Sequence, residues 1–270
     1  MNKTLLLCTL QFLITPLFSQ VANLDSAHIL VNYRYVFVFD LLTLNHKTEA
    51  FMTLQVGDHM TLFYNHHNEI VATWRRDNAG SLYSKTTNAA GKLVVTANSG
   101  APKPKGPTEY IYLDKDKVQC TYVRKIVFYG LYSYQEKYER PVWTLMPEQT
   151  ELLGYACQKA VAQYKGREWT AWFAPEIPVD AGPWKLSGLP GLILKAEDAE
   201  GHYLFEAVQV ERPDVPTPIM SLDPTQVTQT TQARMERLLR KIYEDRDIAI
   251  NGVTFDASSR PEQKINFIER

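Results

Sequence analysis

The 270-residue chain has only three cysteines and six histidines, and neither residue type falls at a zinc-ligand spacing: it contains no C-x-x-C and no H-x-x-x-H. The adjacent His66 and His67, beyond Asp58 and His59, do not repair this, because neighbours on an extended strand point to opposite faces. An excess of one charge is also missing. Twenty-nine basic residues face 30 acidic ones, a formal net charge of -1, which argues against nucleic acid as a partner. Neither phosphate-binding glycine pattern occurs, and Ser187 lacks the G-x-S-x-G elbow of a nucleophilic serine. No cofactor, no metal and no assigned catalytic residue is therefore expected. Beyond residue 20 there is no run of eighteen apolar residues, so no transmembrane segment is expected in the mature protein.

What is present begins with a leader. "MNKTLLLCTLQFLITPLFSQ" has an early Lys3, an apolar stretch from Leu5 to Leu17 and a small polar end at Ser19 and Gln20. This pattern predicts a secretory signal peptide over 1–20, export to the periplasm or outer cell envelope, and one β-rich domain over 21–270. Its length suits one sizeable core. Cys120 and Cys157 remain after cleavage. An oxidising compartment permits a disulfide between them, but spacing alone does not bring two Cβ atoms together, and two buried thiols remain the alternative.

Strand signals dominate the body of the chain. "ILVNYRYVFVFD" alternates Val31, Tyr33, Tyr35, Phe37 and Phe39 on one face, the period of a half-buried strand. "MTLFYNHHNEIVATW" reads as two strands around a polar hairpin turn at 65–68, and Asp77 to Pro107 as a mobile loop with one short strand over 92–96. Further hairpins are predicted around 114–117 and around Lys165 and Gly166, with Trp169 and Trp172 on opposite faces of one strand. One helix is expected over about 224–246. Asp223 would be its N-cap, Pro224 its first residue and Gln226 its capping-box partner, ahead of an apolar stripe through Met235, Leu238, Leu239, Ile242 and Tyr243. The fold class is mainly β: a single large antiparallel, curved sheet or half-open barrel with the C-terminal helix packed on it.

"GPWKLSGLPGLILKAED", Gly182 to Asp198, concentrates glycine and proline before an apolar run. Leu189-Pro190-Gly191-Leu192 predicts a type II turn, with proline fixing φ and Gly191 taking the positive φ, launching a strand that returns after 198–202. The literal string Gly188, Leu189, Pro190, Gly191, Leu192, Ile193, with "GYACQKA" and "AWFAPEIP" upstream, resembles the GLPGLI family of exported cell-envelope proteins of Bacteroidetes. That resemblance implies export and a shared β-rich fold, and no reaction.

Three chemistries are open to this neighbourhood. Aromatic recognition would use Trp172, Trp184 and Phe173 to stack on an apolar or peptide-like ligand or an envelope protein. A hydrolase would need Glu176 or Asp198 paired with a second carboxylate at a distance that sequence does not give. Metal binding lacks its spacing. The leading expectation is a non-enzymatic periplasmic binding or accessory protein, with hydrolase and structural interaction protein as alternatives.

Overall fold

The computed structural model describes residues 21–78, 83–87, 93–97, 100, 102–126, 129–245, 247–250, 253–256 and 261–270. The leader read over 1–20 lies outside them. The chain opens with the long strand β1 (Asn23–Val38), followed by β2 (Lys47–Gly57), β3 (Met60–Tyr64), helix α1 (His66–Asp77) and the short strands β4 (Tyr83–Thr87) and β5 (Leu93–Ala97). Two antiparallel runs follow, β6 (Glu109–Asp114), β7 (Gln119–Ile126) and β8 (Gly130–Lys137), then, across the sheet from β8, β9 (Thr144–Leu152), β10 (Tyr155–Tyr164) and β11 (Arg167–Ala174). Then come β12 (Leu192–Asp198), β13 (Tyr203–Glu211), β14 (Thr217–Met220), β15 (Val227–Gln229), helix α2 (Gln232–Tyr243), β16 (Asp247–Ile250) and β17 (Val253–Asp256).

Thirteen of these strands form one sheet, in the order β15-β8-β7-β6-β3-β2-β1-β13-β12-β11-β10-β9, with β14 pairing on β1. All its pairings are antiparallel except β15 with β8. Two different strands occupy the ends of this order, so the sheet is not closed into a barrel. It is nevertheless curled. Cys120 of β7 and Cys157 of β10, near opposite edges, share one core with Val31, Tyr33 and Tyr35 of β1. The alternation read along β1 is the inward face of this curl, and Phe37 packs against the same core.

Three local expectations are corrected. The polar stretch at 65–68 begins a helix: the Asn65 side chain accepts the Asn68 amide at 3.1 Å as an N-cap, so the residues read as a hairpin's second arm wind into α1. The segment read as a loop with one strand contains two, β4 and β5, paired with each other. The C-terminal helix starts later than expected. Asp223 and Pro224 cap only a single 3₁₀ turn, Pro224–Gln226, after which β15 pairs with β8 and α2 starts from Thr231 as N-cap. Pairing β15 to the sheet satisfies backbone groups that the longer helix would have used internally. Met235, Leu239 and Ile242 do form the buried stripe, against Ile126, Tyr134 and Ile265. No helix among the described residues is long and apolar enough to cross a membrane.

Candidate functional site

The glycine-rich segment fills the inside of the curl. Residues 181–187 are all buried, and of the six-residue string only Gly188 and Pro190 are exposed. Its reversal differs from the predicted turn. Leu186 N donates to Pro183 O at 3.1 Å, Trp184 takes the positive φ of 56°, and Gly188 has φ 91°, while Gly191 lies outside the positive-φ region. Gly191 is needed for closeness instead: a Cβ there would stand 2.3 Å from Ala174 O. Surrounding donors hold the plug by its carbonyls. Tyr33 OH donates to Ile193 O at 2.6 Å, Tyr138 OH to Lys185 O at 3.1 Å, and Trp143 Nε1 to Ser187 O at 2.7 Å. Ser187 is itself buried and hydrogen-bonded to Tyr138 OH.

This burial removes two of the three proposed recognition rings from any surface. Trp184 sits against Trp169 at 5.6 Å and Tyr164 at 5.7 Å, and Phe173 belongs to the same core; only Trp172 stays partly exposed. Trp169 and Trp172 do face opposite sides, because Trp169 is fully buried. Trp184→Ala is expected to lower unfolding free energy by about 3–5 kcal/mol, whereas Trp172→Ala should cost about 1 kcal/mol or less, both read from urea unfolding curves.

The two cysteines are free and buried rather than bridged. Burial pushes the Cys120 thiol up to about 12 and the Cys157 thiol up to about 11, the reverse of what a nucleophile needs. The hydrolase carboxylates are not brought together as a free pair. Asp198 is 1% exposed in its side chain, accepting Arg167 Nη1 at 2.7 Å and the Tyr203 amide at 2.7 Å. Glu176 is exposed and accepts the Ala156 amide at 3.4 Å. Asp198, Glu200 and His202 place potential ligand atoms within 4.8 Å of one another, a grouping the spacing rules missed. Arg167 and Arg270 bond Asp198 and Glu200, so the charge a cation would supply is already there.

What the curl leaves open is a cavity of about 550 Å³ between the C-terminal half of β1, β7, α2 and the chain's last residues. Its walls are aromatic. Tyr35 lies flat on Phe205 (4.5 Å, 7°) and against Phe37 (4.7 Å, 21°), Tyr122 stacks on Tyr134 at 5.0 Å, and Phe39 meets Tyr243 edge-on at 5.1 Å. Charged and polar side chains share the lining, among them Asp40, His46, Lys125, Glu236 and Glu269. Arg124 pairs with Glu109 at 3.3 Å. Burial works against the Arg124 charge, yet Glu109 together with Tyr122 and Tyr243 more than offsets it and raises its affinity for the proton. Phe37 and Phe39 were legible as strand-face residues. Their role as a wall was not, because it needs β7 and α2 opposite.

Beneath the cavity lies a second feature the sequence hid. Lys185, the lone charge between Gly182 and Leu194, is fully buried and bonded to Glu136 of β8 and Glu269, with Tyr134 OH at 3.3 Å and the Tyr122 and Tyr134 rings within 5.5 Å of its Nζ. Lys165 adds a second cation, 2.9 Å from Glu136 and 3.4 Å from Glu269. Two ammonium groups and two carboxylates thus neutralise each other out of water.

Comparison with known proteins agrees with the architecture. Residues 162–195, from the end of β10 through the plug into β12, match the family model described as "Protein of unknown function (Porph_ging)". Among solved structures the chain is similar to PNGF-II in the P21 space group, with a TM-score of 0.51 and 16% identity over 83% of this chain and 34% of that one. PNGF-II in the C2 space group gives a TM-score of 0.48 and 16% identity over 82% and 34% of the two chains. The chain therefore spans about a third of the length of PNGF-II, and at this identity the likeness concerns the fold alone. No curated protein matches the sequence.

Proposed function

We propose that this chain is an exported, non-enzymatic binding or accessory protein of the GLPGLI type, and that its ligand site is the aromatic cavity rather than the signature loop. In this reading residues 1–20 are the export leader and the mature protein works in the periplasm or outer envelope. The observation that carries it is the cavity of about 550 Å³, walled on one side by stacked tyrosine and phenylalanine rings and carrying charged groups that include the Glu109–Arg124 pair. Such a lining suits a small apolar or peptide-like ligand. The signature loop serves the site indirectly, by filling the curl behind it.

The test is native mass spectrometry on protein purified from a periplasm, comparing the parent with Phe37→Glu. A mass adduct that disappears on denaturation and is absent from the variant is expected. A bare parent mass, together with no retention of an apolar dye such as anilinonaphthalene sulfonate, would sink the proposal.

A further inference from the structure

The last described residues behave in the structure as a bound peptide. Lys264 to Arg270 has little regular structure of its own, a single bridge between Asp40 and Ile265, yet its main chain is held along its length. Four of its amides donate outward: Lys264 N to Asp40 Oδ1 (2.8 Å), Ile265 N to Glu244 Oε1 (2.9 Å), Asn266 N to Phe39 O (2.9 Å) and Arg270 N to Lys165 O (3.0 Å). Four of its carbonyls accept: Lys264 O from Leu41 N (2.8 Å), Asn266 O from Tyr203 OH (2.5 Å), Phe267 O from Arg167 Nη2 (2.8 Å) and Ile268 O from Arg167 Nε (2.9 Å). Contacts to the main chain hold an extended peptide while leaving side chains to set selectivity.

Arg167 is the centre of this arrangement. It is 1% exposed in its side chain, lies 4.6 Å over the Tyr203 ring and is anchored by Asp198. Three of its hydrogen bonds go to the segment: two to the carbonyls above and one to Asn266 Oδ1 at 2.8 Å. A guanidinium presents five donors in a fixed plane, so Asp198 and Tyr203 set a rigid fork facing the chain that lies across it. Side-chain selectivity is also visible. Ile265 and Phe267 pack with α2, Ile268 packs on the main core, and Glu269 reaches Lys185.

The segment also borders open space on two sides. Residues 265–269 line the aromatic cavity, and Ile265, Asn266, Phe267, Glu269 and Arg270 line a second cavity of about 780 Å³ bounded by Leu41, Lys165 and α2. Ile265 and Asn266 are buried, but chain bordered by open space on two sides is where local opening is drawn from.

We propose that the groove built by Arg167, Tyr203, the Phe39–Leu41 edge and Lys185 is a peptide-binding site occupied in cis by the 264–270 strap. Its ligand in trans is an extended peptide with the strap's own pattern, aliphatic, polar, aromatic, aliphatic, acidic. Entry requires the strap to lift away. The inference rests on the binding reading above and narrows it to peptides.

The test uses a fluorescein-labelled synthetic peptide, Lys-Ile-Asn-Phe-Ile-Glu-Arg, and the full chain with Phe267→Ala and Glu269→Gln together, which changes the strap and leaves Arg167, Asp198 and Tyr203 intact. A tethered strap competes at millimolar effective concentration, so the peptide should bind this variant about tenfold or more tighter than the parent by anisotropy. A scrambled peptide should show no such gain. Equal affinities for both proteins, with faster hydrogen exchange at 264–270 in the variant, would overturn the proposal, because the groove would be free and still refuse the peptide. Should the variant fail to fold, exchange in the parent decides. Strap amides opening well before those of β1 and β13 support a removable strap; protection equal to theirs makes it core. If the parent retains a cavity ligand while peptide binding fails, the binding reading stands and the peptide assignment falls; loss of both discards both.

Discussion

Gly191→Val is expected to destabilise the protein by at least about 3 kcal/mol, and to yield little folded material at 37 °C. The cause is steric. The added Cβ would stand 2.3 Å from Ala174 O, 2.7 Å from Ala174 C and 3.0 Å from Pro175 Cα, all backbone atoms that no rotamer change moves aside. Those atoms end β11 and begin the loop that leads into the plug, so yielding there would shift the β11–β12 register as well. Gly201 supplies the contrast. It has φ 67° but nothing within 4 Å of its would-be Cβ, so Gly201→Ala should cost only the conformational penalty of about 1–2 kcal/mol. Urea unfolding of both variants separates the two roles. A Gly191→Val protein as stable as the parent would show that β11 and the plug do not approach as described.

Lys185→Met should cost about 3–5 kcal/mol, because removing one partner of a largely buried ionic group leaves two carboxylates with a single cation. Glu136 and Glu269 would then share Lys165 alone. The pH dependence gives a sharper readout. Burial by itself would raise the Glu136 carboxyl, but Lys185 and Lys165 outweigh it and hold it below its ordinary value. A lowered folded-state value means that stability from Glu136 is present above the unfolded carboxyl value and is lost as pH falls through the folded one. Lys185 works in the opposite direction. Burial lowers its affinity for the proton, Cys120, Glu269 and Glu136 together more than restore it, and its stability contribution is full below the ordinary lysine value and lost as pH rises through the folded one. Unfolding free energy of the parent should therefore be flat from this cluster between about pH 5 and pH 10 and fall on either side. In Lys185→Met the alkaline fall should shrink and the acid fall should flatten. An unchanged acid limb would mean that Glu136 owes its lowered value to Lys165 alone.

How much of this was readable depended on the distance over which each cause acts. Period-two alternation is a local property, so β1 and the β6–β7 and β10–β11 hairpins were legible from Val31, Tyr33 and Tyr35 and from the turns at 114–117 and Lys165-Gly166, whereas the crossing of the chain from β8 to β9 at the far edge was not. The stripe of α2 was legible for the same reason. Its starting point was not, because Asp223 and Pro224 carry cap signals that a single 3₁₀ turn also satisfies, and pairing of β15 with β8 decides between them. At Asn65 the competing signals were a turn and an N-cap, and the helix won although Ile70, Val71 and Trp74 fit either reading.

The sequence by itself determined the strand-rich class, the amphipathic helix and the presence of an unusual glycine-proline segment, because each is written in neighbouring residues. Only the tertiary structure decided which aromatic rings face a cavity. It buried Trp184 and Phe173 and left Phe37 and Phe39 on a wall, since exposure depends on what the curled sheet brings opposite. It also decided that Lys185 would be a buried ion and Arg167 a clamp. Their partners Glu136, Glu269 and Asn266 lie 49, 84 and 99 residues away in the chain, and no local pattern encodes a contact closed over such a loop.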